Sequence, residues 1–229
     1  MKTSLILGSL LFFSLQAQAQ IVFKGVEAYG TGCPAGTVGT SITPDGTALS
    51  VIFDEFRVEV PEHTPPTHTG PFPRAPRTRP TRAMRDCQLR FTVDLPFGHK
   101  VEALEVTVQA RGATILDPEI FATFTSILVG YTGLAQQRRN PTPIIQKSWS
   151  PNPAGVQDEW VSMPTAQIGI NSGCASARGR SVTFDLKNHL SAEIITGNLS
   201  RQGIVSVDSA DASGMLRFRV LTSRCLGAR

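Results

Sequence analysis

Cys87-Gln88-Leu89-Arg90-Phe91-Thr92-Val93-Asp94-Leu95 alternates apolar and polar residues without a break. Successive side chains of a strand point to opposite faces. Cys87, Leu89, Phe91, Val93 and Leu95 therefore share one face, and Gln88, Arg90, Thr92 and Asp94 share the other. The first face is fit for a core and the second for solvent. Pro96-Phe97-Gly98 turns the chain, and Leu104, Val106, Val108 and Ala110 resume the same period.

The pattern repeats outward from there. Leu49, Val51 and Phe53 alternate, then Phe56, Val58 and Val60 alternate in the opposite phase, with Asp54-Glu55 at the break. A one-residue slip of this kind predicts a β-bulge. Phe121 to Val129 is apolar on both faces, as in a strand covered on both sides. Val182, Phe184 and Leu186 alternate, as do Val205 and Val207, and then Leu216, Phe218 and Val220. No segment carries a long i, i+3, i+4, i+7 apolar stripe. Short strands punctuated by Gly and Pro predict an all-β fold, a single antiparallel β-sandwich.

Two stretches interrupt the rhythm. Residues 61–82 hold seven prolines and the arginines Arg74, Arg77, Arg79 and Arg82. Proline cannot donate to a ladder, so this stretch reads as an exposed loop. Its arginines are candidates for contact with an anionic cell surface. Residues 136–164 hold five prolines and both tryptophans, Trp149 and Trp160, and read as an irregular connection.

The N-terminus carries an address. Met1-Lys2, the apolar run from Leu5 to Leu15, and Ala17-Gln18-Ala19 together form a secretory signal peptide over residues 1–19. Residues 20–229 are then one secreted or periplasmic domain in an oxidising compartment. The residue after the cut is Gln20 rather than Cys, so no lipid anchor is expected. Nothing downstream approaches the 18 apolar residues of a transmembrane helix. The chain has 22 Lys+Arg against 18 Asp+Glu, too small an excess to point to nucleic acid.

Four cysteines, Cys33, Cys87, Cys174 and Cys225, read as two disulfides. Of the three possible connectivities, the sequential Cys33–Cys87 and Cys174–Cys225 is expected. Each bridge closes a loop of about 50 residues and contributes on the order of 4 kcal/mol in the loop-entropy picture.

Gly32-Cys33-Pro34-Ala35-Gly36-Thr37-Val38, Phe53-Asp54, Arg85-Asp86-Cys87-Gln88-Leu89, Pro96-Phe97-Gly98 and Arg111-Gly112 resemble a family of small secreted bacterial and fungal proteins known as a domain of unknown function. Ser172-Gly173-Cys174, Gly203, Asp208-Ser209 and Cys225 fit its later part. The resemblance implies secretion, β structure and paired cysteines. It implies no activity and no site residues.

Candidate sites are few. Asp54 and Glu55 could act as an acid/base pair, since glycosidases need two carboxyl groups flanking a sugar; a solvated turn is the competing reading. Asp208 and Asp211 fit a polar turn better than a calcium loop. His63 and His68 lack a third metal ligand. No phosphate loop, nucleophile elbow or His-Glu-x-x-His is present. Asn198-Leu199-Ser200 matches a glycosylation acceptor. Trp149, Trp160 and Tyr131 are candidates for stacking on sugar rings, with core packing the alternative. The expectation is a non-enzymatic secreted binding or structural domain contacting polysaccharide, with no cofactor and no metal. A hydrolase using Asp54 and Glu55 is the alternative.

Overall fold

The computed structural model describes residues 22–42, 48–62, 81–95, 97–132, 137–138, 141–169, 173–174, 180–208 and 215–225. Residues 1–19, read from sequence as a signal peptide, and His63, His68, Arg74, Arg77, Arg79 and Asp211 lie outside them.

The described residues form strands and no helix: β1 (Val22–Tyr29), β2 (Val38–Ile42), β3 (Ala48–Phe53), β4 (Arg57–Val60), β5 (Arg82–Leu95), β6 (His99–Val108), β7 (Ala110–Leu116), β8 (Ile120–Thr132), β9 (Gln137–Arg138), β10 (Thr142–Trp149), β11 (Val156–Ser162), β12 (Thr165–Gly169), β13 (Arg180–Ile194), β14 (Gly203–Asp208) and β15 (Met215–Arg224). They pair into three antiparallel sheets. One runs β1-β5-β13-β8-β10, with β9 added to β8; the others run β11-β7-β14-β4 and β12-β6-β15-β3-β2. Among the described residues no helix is long and apolar enough to cross a membrane.

The two shorter sheets repeat one order. β3 continues into β4, β6 into β7, β11 into β12 and β14 into β15, and in each case the chain passes from one sheet to the other. Hydrogen bonds tie the junctions: Val108 N–H donates to the Pro164 carbonyl at 3.0 Å and Val207 N–H to the Phe56 carbonyl at 2.9 Å. This corrects the bulge expected at Asp54-Glu55. The phase of the alternation changes there because β3 and β4 belong to different sheets. Phe56 pins the junction from inside; its ring lies 5.3 Å from that of Phe53 and 6.3 Å from that of Phe124.

All three sheets contribute to one apolar core. Leu89, Phe91 and Val93 of β5 are each 0–1% exposed, as their alternation requires. Burying each such side chain stabilises the fold by about 1.5–3 kcal/mol. β8 lies between β13 and β10 in its sheet. Its burial alternates, with Ala122, Phe124, Ser126 and Leu128 buried and Phe121, Thr123, Thr125 and Ile127 half-buried, so it is not covered on both faces as expected.

The described part of 136–164 is largely strand rather than an irregular connection: β10 pairs with β8 and β11 with β7. The prolines sit where a ladder tolerates them. Pro143 is at a register shift on edge strand β10, Pro151 and Pro153 are in the β10–β11 connection, and Pro164 is at the β11–β12 junction. At the ends of the Pro/Arg-rich stretch, Pro61 is buried and Arg82 is already the first residue of β5.

Candidate functional site

The cysteines pair as Cys33–Cys87 and Cys174–Cys225. The first bridge fastens the loop after β1 to β5, and Gly30, Thr31, Gly32 and Thr37 of that loop each have a physical reason. Gly30 has φ 132° and lies against the Asp86 carbonyl, where any Cβ would collide. Gly32 N–H donates to the same carbonyl at 2.9 Å. A Cβ on Gly32 would come within 2.5 Å of the Phe56 ring. Thr31 Oγ1 accepts from Asp86 N–H at 3.1 Å, and Thr37 Oγ1 donates to the Pro34 carbonyl at 2.9 Å. The loop is thus held by backbone, disulfide and ring contacts together.

Its rim forms one wall of an open cleft of about 340 Å³ lined by Thr31, Pro34, Glu55, Arg57, Glu59, Glu62 and Arg85. Alternation along β4 turns Val58 and Val60 inward and Arg57 and Glu59 outward. Arg85 Nη2 donates to Glu62 Oε1 at 2.7 Å, and its Nη1 donates to the Met84 carbonyl at 3.0 Å. Arg57 Nε stands 3.5 Å from Glu59 Oε1. Both residues of the Arg85–Glu62 pair keep about a third of their side chains exposed, 31% and 33%. The cleft therefore offers acceptors and donors in pairs, facing solvent.

Of the alternative acid/base pair, only Glu55 is a lining residue of the cleft. Glu55 lines the cleft with Glu59 and Glu62; Asp54 is not among its lining residues, and its backbone N–H donates to the Thr37 carbonyl at 3.0 Å. Among the described residues no three His, Cys, Asp or Glu side chains gather to hold a metal ion. Arg82 is 56% exposed, with its Nε 4.0 Å from the Glu193 carboxylate.

The tryptophans are not a stacking platform. Trp149 is 6% exposed and Trp160 is 4% exposed. Their rings are 5.8 Å apart, and Trp160 is 5.5 Å from Phe124. Large aromatic area at the margin between β10 and β11 is stabilised by burial there, so these rings are core. Trp149 Nε1 donates to Asp158 Oδ2 at 2.9 Å, and Lys147 Nζ lies 3.1 Å from the same oxygen. That indole N–H first, and Lys147 second, hold the Asp158 carboxyl below its ordinary value. Lys147 also lies 5.3 and 5.6 Å from the two indole centroids. Gly112, opposite Trp160 in the ladder, leaves room for the indole, since a Cβ would meet the ring at 2.5 Å. The backbone of Tyr131 pairs with Thr183 and Arg138 in β13 and β9; its side chain is outside the described residues.

Sequence reasoning missed Arg57, Glu59, Glu62 and Arg85 as a group. The readable signals were the outward phase of β4 and the position of Arg85 two residues before a bridged cysteine.

A family model described as "Domain of unknown function (DUF4360)" matches residues 19–71. That stretch supplies β1 to β4 and every lining residue of the cleft except Arg85. Comparison with curated proteins finds no match. Among solved structures, TmCBM61 in complex with β-1,4-galactotriose aligns over 89% of this chain and 90% of that chain, at 9% identity and a TM-score of 0.26. A structure of infectious bursal disease virus Gt strain aligns over 89% of this chain and 64% of that one, at 12% identity and a TM-score of 0.20. Scores this low define neither fold nor ligand.

Proposed function

We propose that this protein is an exported, non-enzymatic binding domain that contacts polysaccharide through the cleft beside Cys33–Cys87. The carrying observation is the set of guanidinium–carboxylate pairs, Arg85–Glu62 and Arg57–Glu59, facing one open polar volume. Carboxylates accept and guanidiniums donate, so neighbouring pairs match adjacent sugar hydroxyls, which do both. Paired cysteines suit an oxidising compartment outside the cytoplasm. In this reading the domain is one sandwich, the β1-β5-β13-β8-β10 sheet facing a layer made of the two shorter sheets.

Binding to immobilised glycans and peptidoglycan tests the proposal. Retention on at least one polymer, weakened at least tenfold by Glu62→Gln with Arg85→Gln, is the expected result. Failure to be retained by any polymer leaves only a structural role. Hydrolysis is the second reading, favoured by Glu55 and Glu59 lining one cleft. In that case Glu55→Gln abolishes turnover of the retained polymer, and unchanged turnover removes Glu55 from consideration.

A further inference from the structure

Asp185 lies on the outward phase of β13, opposite Arg90 in β5, and yet it is 0% exposed. What covers it is what it holds. Arg90 donates from Nε to Oδ1 at 2.9 Å and from Nη2 to Oδ2 at 3.3 Å, and Gln88 Nε2 donates to Oδ2 at 2.6 Å. Taking a carboxylate out of water is costly unless such donors offset the cost. The arrangement fixes the plane of a guanidinium that is itself on a side chain 41% exposed. The Arg90 guanidinium carbon lies over one face of the Tyr29 ring, 5.5 Å from its centroid, and Tyr29 is 39% exposed. Tyr29 is the last residue of β1, which ends its sheet. Burial first, and then the Asp185 charge, raise the Tyr29 phenol above its ordinary value.

We propose that Tyr29, backed by Arg90 over one face of its ring, is a platform that presents its other face to a neutral pyranose ring, a second sugar subsite on the outer face of the long sheet. This rests on the polysaccharide reading of the cleft and names the class of sugar. The charges argue for a neutral ring. Asp185 balances Arg90, and the ladder neighbours Glu27 and Lys187 are opposite in sign. An anionic sugar gains little field here, whereas a pyranose gains from lying flat against an aromatic ring that the guanidinium holds from its other side. Tyr29 precedes Thr31 of the cleft wall by two residues, at most about 7 Å of backbone, so one polymer chain can touch both sites.

Affinity electrophoresis in gels containing soluble glucan, glucomannan, galactan or polygalacturonate tests this. The wild type should be retarded by a neutral polymer, equally at low and high salt and no less than by polygalacturonate. Tyr29→Ala should weaken retardation by about five- to tenfold, and Tyr29→Phe should keep most of it. In the unmutated protein, Tyr29 ring resonances should shift on adding oligomers of the retarding polymer, a readout that does not depend on how a variant folds. If Tyr29→Ala is retarded like the wild type while the Glu62→Gln, Arg85→Gln variant is not, the platform is overturned and the cleft reading stands. Unshifted Tyr29 resonances at binding overturn it equally. No retardation of the wild type by any polymer overturns the cleft reading and the platform together.

Discussion

The β10–β11 margin and the Cys33 cleft use the same residue types to opposite ends. At the margin, Asp158 and Lys147 close over two buried indoles, and Asp158 Oδ2 meets both an indole N–H and an ammonium. In the cleft, Arg57, Glu59, Glu62 and Arg85 pair with one another over open volume, and none of the lining residues is aromatic. A charge pair that covers apolar surface serves the fold. A charge pair that lines an open polar volume leaves its hydrogen-bonding capacity to a ligand.

Breaking the margin should cost most. Trp160→Ala removes the indole that touches both Trp149 and Phe124 and should destabilise by about 3–5 kcal/mol, measured by urea unfolding. The cleft wall comes next. Gly32→Ala forces the Phe56 ring or the Arg85 stem to move and should cost about 1–3 kcal/mol, like other overpacked sites.

The third prediction separates the regions by pH. The folded-state Asp158 carboxyl is held below its ordinary value. Its contribution is therefore fully present above the unfolded carboxylate value, about 4, and is lost as pH falls through the lower folded value. Asp158→Asn should flatten the acid loss of stability between neutral pH and pH 3, and an unchanged acid limb would detach Asp158 from the margin. The smallest effect belongs to the cleft: Glu62→Gln with Arg85→Gln should change stability by less than about 1 kcal/mol, as for exposed pairs.

How far the sequence could be read follows the same division. The strand β5 and its buried face were legible because alternation is local, and so was the pairing of the cysteines. β10 was hidden by prolines, whose tolerance on an edge strand depends on which strand ends the sheet. The phase change at Asp54-Glu55 is visible in the sequence, but only the pairing of β4 with β14 makes it a passage between sheets. The cleft needs Glu62 and Arg85 brought together across 23 residues, and the platform needs Arg90 and Asp185 brought together across 95. No local pattern encodes either meeting.

The most direct test of the central claim is polymer retention of the wild type beside the Glu62→Gln, Arg85→Gln variant, with both melting curves recorded. The account predicts that retention falls at least tenfold while the melting temperature moves by less than about 4 °C. Equal retention by the two proteins, or none by the wild type on any polymer, would contradict it.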